Sequence, residues 1–211
     1  MNKHINKKKF ALIVMAYASC AGTLAGNLAK DCDTPLAGGY TGRGVLIALA
    51  DNPTIVQSAT NPRTISSITM PANKKVAVID NSFGPTPLNG STVQSNTDDG
   101  MLKYRKTLVV QIPQRGSDVS KDVVEPLSQA PLGYMAIMEK KDRQGNGSFE
   151  VFGFEQGLTA TEDGITRNEY ENGGCTIATL SCNETWYEVA FFDTDYNTTL
   201  QAFEALLAQG Y

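Results

Sequence analysis

The sequence predicts an α+β, mainly β fold: an antiparallel β-sandwich or barrel with a short flanking helix, a C-terminal helix and an N-terminal helical arm. Three observations carry this expectation. Nine prolines and 19 glycines in 211 residues punctuate short apolar runs. The clearest run, residues 102–112, alternates with period two, and the last fourteen residues or so change to helical spacing. With 41% apolar and 19% charged residues, the chain can bury a core. It falls outside the collagen-like, disordered and disulfide-stapled classes.

Residues 1–30 form the first unit. Lys3, Lys7, Lys8, Lys9 and Lys30 with no acid give it a charge of +5. An apolar stretch over 10–18 and then small residues follow the basic start, which is the anatomy of a secretory signal. Ala18-Ser19-Cys20-Ala21 suggests a lipobox, with Tyr17 where leucine would be expected. Roughly nine apolar residues fall far short of the ~20 that span a bilayer, so no stable membrane span is expected. We expect a retained, uncleaved arm. Helical over 8–29, it would be roughly 33 Å long at ~1.5 Å per residue and apolar around nearly its whole circumference. Such a helix must bury itself, and Phe10, Leu12, Ile13 and Met15 are the candidate contacts to a neighbouring subunit.

Residues 31–211 are expected to form a single β-rich domain. Gly38-Gly39-Tyr40-Thr41-Gly42-Arg43-Gly44 reads as a flexible lead-in. It lacks the Lys and Ser or Thr of a P-loop, and Ile47 stands where a dinucleotide fingerprint needs its third glycine. Strands are expected over 45–50, 64–70 and 76–80, then a long exposed loop over 85–99. In 102–112, Leu102, Tyr104, Leu108, Val110 and Ile112 share one face, and Lys103, Arg105, Thr107 and Gln111 the other. Ser117 is expected to cap a short helix with a stripe of Val119, Val123, Val124 and Leu127, kinked or ended near Pro126. Strands over 133–140 and 148–154 flank the turn 142–147. That turn resembles a calcium loop only loosely, since Gly153 stands where a bidentate glutamate belongs. A second hairpin is expected from 176–180 and 185–192. The final helix has Thr198 and Gln201 at capping-box spacing, an apolar stripe of Leu200, Phe203, Leu206 and Leu207, and Gly210 as its stop.

Chemistry-bearing motifs are sparse. The single histidine, His4, sits in the basic arm, so serine, threonine and cysteine nucleophiles lack a histidine base. Cys20, Cys32, Cys175 and Cys182 lack zinc spacing and are expected as free thiols, a Cys175–Cys182 disulfide being open if that segment folds back. Glu169 with Glu171 and Asp193 with Asp195 are carboxylate pairs, read as solvated acids. No catalytic, cofactor-binding or metal-ligating residue is expected, and the chain is not expected to be an enzyme. Eleven carboxylates against Arg167 give residues 144–211 a charge of −10, which reads as a solvated acidic face and is the wrong sign for gripping nucleic acid.

Gly39-x-x-Gly42-x-Gly44 runs into Val45-Leu46-Ile47-Ala48-Leu49-Ala50-Asp51, and Thr64-Ile65-Ser66-Ser67-Ile68-Thr69-Met70 follows. Residues 149–154 then precede Gln156-Gly157-Leu158, ahead of the segment around Cys182 and a terminal helix. This order resembles ring or tail-tube proteins of tailed bacteriophages infecting Bacteroides-type bacteria, including the crAss-like group, over roughly residues 31–211. The resemblance implies a virion structural protein, assembled in the host cytoplasm into a homo-oligomeric ring of the phage tail. It implies contact with other tail, portal or ring proteins, and DNA passing through the lumen without specific binding and without a cofactor. The basic, apolar arm departs from the short start usual in these proteins. An exported or lipid-anchored bacterial surface protein is the alternative.

Overall fold

In the computed structural model the described residues are 39–80, 91–96, 103–143, 145–167 and 174–210. The arm, with Phe10, Leu12, Ile13 and Met15, lies outside them. The first strand, β1 (Tyr40–Ala48), already begins inside the glycine-rich segment expected as a lead-in. Its pairing slips between Tyr40 and Gly44, and Gly42 has φ 91°, so the glycines make a β-bulge inside a strand. Then come β2 (Thr54–Gln57), β3 (Thr64–Thr69), β4 (Ala77–Asp80), β5 (Ser91–Asn96) and β6 (Lys103–Ile112). The expected loop over 85–99 therefore contains a strand, because the backbone of Ser91–Asn96 pairs antiparallel with β6.

The flanking helix is composite: α1 (Ser117–Val119), a π-helical turn (Ser120–Val124) and α2 (Glu125–Gln129). Its cap position is Gly116 at φ 124°, not Ser117. The expected stripe holds, since Leu127 is buried and Val119, Val123 and Val124 pack on the same core. The turn at 142–147 joins β7 (Tyr134–Lys140) to β8 (Phe149–Phe152) as a hairpin, with Glu139 opposite Phe149. β9 (Thr159–Thr166), β10 (Thr176–Glu184), β11 (Val189–Phe191) and α3 (Tyr196–Leu207) complete the chain.

Seven strands order as β2-β3-β11-β8-β7-β1-β4 and four as β5-β6-β10-β9. The two sheets share one core, in which Leu46, Ala136, Met138 and Phe152 from the larger meet Leu108, Val110, Ala178 and Leu180 from the smaller. This is sandwich-type packing, and among the described residues no barrel closes. The expected hairpin over 176–192 is replaced by a sheet change: β10 is one continuous strand of the small sheet, whereas β11 joins the large one. β11 also pairs parallel with β3, so the large sheet is mixed rather than wholly antiparallel.

The outer face of the large sheet is covered by α3, giving a second core of Val45, Ile47, Ile137, Val151 and Phe191 beneath Phe203, Leu206 and Leu207. Phe149 sits at its centre, 4.9 Å from the Phe203 ring, 6.0 Å from Tyr196 and 6.4 Å from Phe191 between centroids. Phe149→Ala should destabilise the protein by about 3–5 kcal/mol, because three rings lose a common partner and none can fill the void. Urea unfolding should show this as a lower midpoint at unchanged slope.

The cap of α3 lies one turn earlier than expected. Asp195 Oδ1 accepts from the Thr198 backbone N–H at 2.9 Å, and Thr198 Oγ1 donates to Asp195 Oδ2 at 3.0 Å. These hydrogen bonds, that from the Thr198 N–H first, hold the Asp195 carboxyl below its ordinary value of 3.8. A lowered folded-state pKa adds stability that is present above the unfolded value and is lost as pH falls through the folded one. Asp195→Asn keeps a capping oxygen without the acid. It should be less stable than the parent near neutrality, where the charged form contributes, and the gap should close on acidification below pH 3.8, as melting curves across that range would show.

Candidate functional site

Among the described residues, three charged clusters and four strand edges are the features with functional potential. The first cluster lies between α3 and the large sheet. The β1 bulge brings Thr41 Oγ1 within 2.8 Å of Glu139 Oε2, and Arg43 reaches the same oxygen at 3.4 Å while also pairing with Glu204 on α3. Glu139 is buried, so this bulge supplies the hydrogen bonds that a carboxylate needs there. The hydrogen bond to Glu204 raises the Arg43 pKa further above its ordinary value, despite partial burial. Arg43 and Glu204 line a cleft of about 270 Å³ with Val78, Ile79, Asp80 and Leu207.

The second cluster adjoins the inter-sheet core through Tyr40. Buried Glu150 accepts from the Tyr40 hydroxyl at 2.7 Å and pairs with Lys140 at 3.0 Å, and Lys140 donates to Glu188 at 2.8 Å. Burial works against the Lys140 ammonium, but the Glu188 hydrogen bond and the Glu150 charge outweigh it and raise its pKa.

The third cluster is wholly internal. Lys106 of β6 and Glu184 of β10 have no exposed side-chain surface, and Lys106 Nζ lies 2.5 Å from Glu184 Oε2. The Phe152 ring centroid is 5.7 Å from Nζ, and Glu184 Oε1 accepts from the Phe154 backbone N–H at 2.7 Å. Cys182, directly opposite Lys106 in the strand register, has a thiol pushed up to about 12, by burial first and by the Glu184 charge second. It is therefore inert near neutrality. Cys175 and Cys182 are both free thiols. Cys175 directly precedes β10, whose continuous run carries Cys182 away from it, so the fold-back that a disulfide requires does not occur.

Lys106 escaped the sequence reading, although its parity on β6 is that of Leu108, Val110 and Ile112. A lysine at an inward position of an alternating strand was the available signal.

The acidic third of the chain is not one free face. Glu150, Glu155, Glu184, Glu188, Asp195 and Glu204 each hold a hydrogen bond or ion pair within the fold. Glu162 and Asp163 stand exposed on β9, while Glu169 and Glu171 lie outside the described residues. Of the expected pair Asp193 and Asp195, the second is the helix cap and the first accepts from the neighbouring Thr194 hydroxyl. Among the described residues no three His, Cys, Asp or Glu side chains gather as a metal set, and no helix is long and apolar enough to cross a membrane.

The sheet edges are β2 and β4 in the large sheet and β5 and β9 in the small one. β2 is largely exposed, with Val56 retaining 46% of its surface. β9 borders a shallow depression of about 690 Å³ lined by Ser128, Thr161, Glu162, Asp163 and Arg167.

No protein-family model matches this chain, and neither a curated protein nor a solved structure is detectably similar to it.

Proposed function

We propose that the chain is a virion structural protein of a tailed bacteriophage, one subunit of an oligomeric ring in the tail barrel or tube through which DNA is ejected. The observation that carries this reading is the set of sheet edges. A strand edge presents backbone N–H and C=O groups that favour pairing with another chain. A head-to-tail contact between unlike surfaces closes into a ring when its rotation permits. β2, with Val56 exposed, and β4 supply two unlike edges on one sheet. The mainly β, two-sheet architecture with a C-terminal helix agrees with what the tail-tube resemblance implies. The exposed acids Glu162 and Asp163 on β9 have the sign that lets DNA pass without sticking. In this reading Phe10, Leu12, Ile13 and Met15 of the arm bury themselves against a neighbouring subunit, and other tail, portal or ring proteins stack above and below.

Light scattering with negative-stain imaging of the purified full-length chain tests the proposal. Closed rings of constant subunit number are expected. A protein that stays monomeric at high concentration overturns the reading. The lipobox-like Ala18-Ser19-Cys20-Ala21 favours a second reading, an exported or lipid-anchored surface protein. Loss of about twenty N-terminal residues, or a lipid on Cys20, seen by peptide mass mapping, would establish it instead.

A further inference from the structure

We propose that Lys106 and Glu184 condense into an intramolecular amide, a covalent cross-link between β6 and β10 inside the sandwich. The ion pair is poorly suited to where it sits. An ammonium carries three N–H donors, yet neither Lys106 Nζ nor Glu184 Oε2 makes a hydrogen bond of good geometry within the described fold. One short carboxylate contact and the face of Phe152 leave donors directed into an apolar core. Several kcal/mol per ion is the usual cost of such burial when the remaining donors go unmet. Condensation removes both charges, two of the three N–H groups and the unpartnered Oε2 together.

The geometry serves the reaction. With Nζ 2.5 Å from Oε2, its distance to Glu184 Cδ cannot exceed about 3.7 Å, given a carbon–oxygen bond of ~1.2 Å. Groups held this way react at effective concentrations far above any in solution, on the order of 10⁵ M or more. A proton passes from the Lys106 ammonium to Glu184 Oε2, leaving a neutral amine and a neutral acid. The Nζ lone pair forms the bond to Cδ. Oε1 takes up the developing negative charge against the Phe154 N–H, which already donates to it at 2.7 Å. A second proton then moves from Nζ to the Oε2 hydroxyl, the Cδ–Oε2 bond breaks, and water departs. One ammonium and one carboxylate give one amide and one water, with no oxidant or activating group. Oε1 becomes the amide oxygen and keeps its hydrogen bond. The link forms within a single subunit, so it stands independently of ring assembly.

Peptide mapping of the folded full-length chain decides the matter. After incubation at neutral pH, the protein is denatured and digested with trypsin. Modified Lys106 is not cleaved, so residues 106–115 should be recovered joined to 168–211, lighter than the two peptides together by the mass of one water. The double variant Lys106→Met with Glu184→Leu, which replaces the pair by apolar side chains of similar size, should fold and give no joined species. Recovery of cleaved Lys106 and unlinked 168–211 from the folded parent overturns the proposal.

Discussion

Lys106→Met should destabilise the protein by about 3–5 kcal/mol, among the largest effects available to a single side chain in this fold. Methionine keeps most of the volume of lysine, so the loss is not mainly a cavity. It comes from Glu184, whose side chain is fully enclosed between the sheets and whose Oε2 has Lys106 as its ion-pair partner. An unpartnered carboxylate in that position forfeits the solvation it would have in water and gains nothing in exchange. For a domain of this size the loss corresponds to a fall in melting temperature on the order of 10 °C. Changing Glu184→Leu in the same chain removes the stranded group and should restore part of the loss. A single variant that melts with the parent, or a double variant no better than the single, would show that Glu184 is not buried as described.

This cluster also shows how far sequence patterning reaches. The alternation over residues 102–112 correctly places Leu108, Val110 and Ile112 inward, and the same parity applied without exception places Lys106 inward too. Lysine is normally read as outward because its charge is costly to bury. That habit, rather than missing information, hid the residue. Its partner is a different case. Glu184 lies far along the chain, and the register of β10 on β6, which sets it opposite Tyr104 and diagonal to Lys106, brings the two within reach; no local pattern encodes such a register.

The sheet change between β10 and β11 is invisible for a related reason. β10 alternates, with Cys182 and Glu184 buried, whereas Val189, Ala190 and Phe191 of β11 are all buried and Tyr187, on the same expected face as Val189 and Phe191, is exposed, because the two strands belong to different sheets. Period two reports which residues point inward, not which layer they join. The hairpin of β7 and β8 was legible because turn chemistry and two apolar runs agree. β2 and β5 were not, because each is a short edge strand: β2 has Ile55 alone partly packed on a core, and β5 is a mainly polar run, Ser91-Thr92-Val93-Gln94-Ser95-Asn96.

Gly157→Ala should cost more than about 3 kcal/mol, although it adds one methyl group at a loop. Three glycines with left-handed backbones meet where this loop crosses the start of β7: Gly133 at φ 68°, Gly153 at φ 73° and Gly157 at φ 74°. The crossing is sealed by Tyr134 N–H donating to Leu158 O at 2.9 Å and Leu158 N–H donating to Tyr134 O at 2.7 Å. A Cβ on Gly157 would stand 2.1 Å from the Leu132 carbonyl oxygen and 3.1 Å from Gly133 Cα. These are backbone atoms and cannot swing aside as a side-chain end would, so the loop must lift and the two hydrogen bonds must break. The left-handed conformation alone costs a residue with a Cβ about 1–2 kcal/mol. Gly145→Ala isolates that part, since Gly145 has φ 57° and open space where its Cβ would go. Urea unfolding of the two variants side by side should therefore give a small loss for Gly145→Ala and a loss at least twice as large for Gly157→Ala. Equal losses would mean that the close crossing of the loop over Leu132 and Gly133 does not exist. Because Leu158 belongs to the inter-sheet core and is held there by this crossing, a lifted loop would also loosen Phe152 and Tyr40 beside it. The damage should thus be read in near-ultraviolet circular dichroism of the folded variant as well as in its unfolding midpoint.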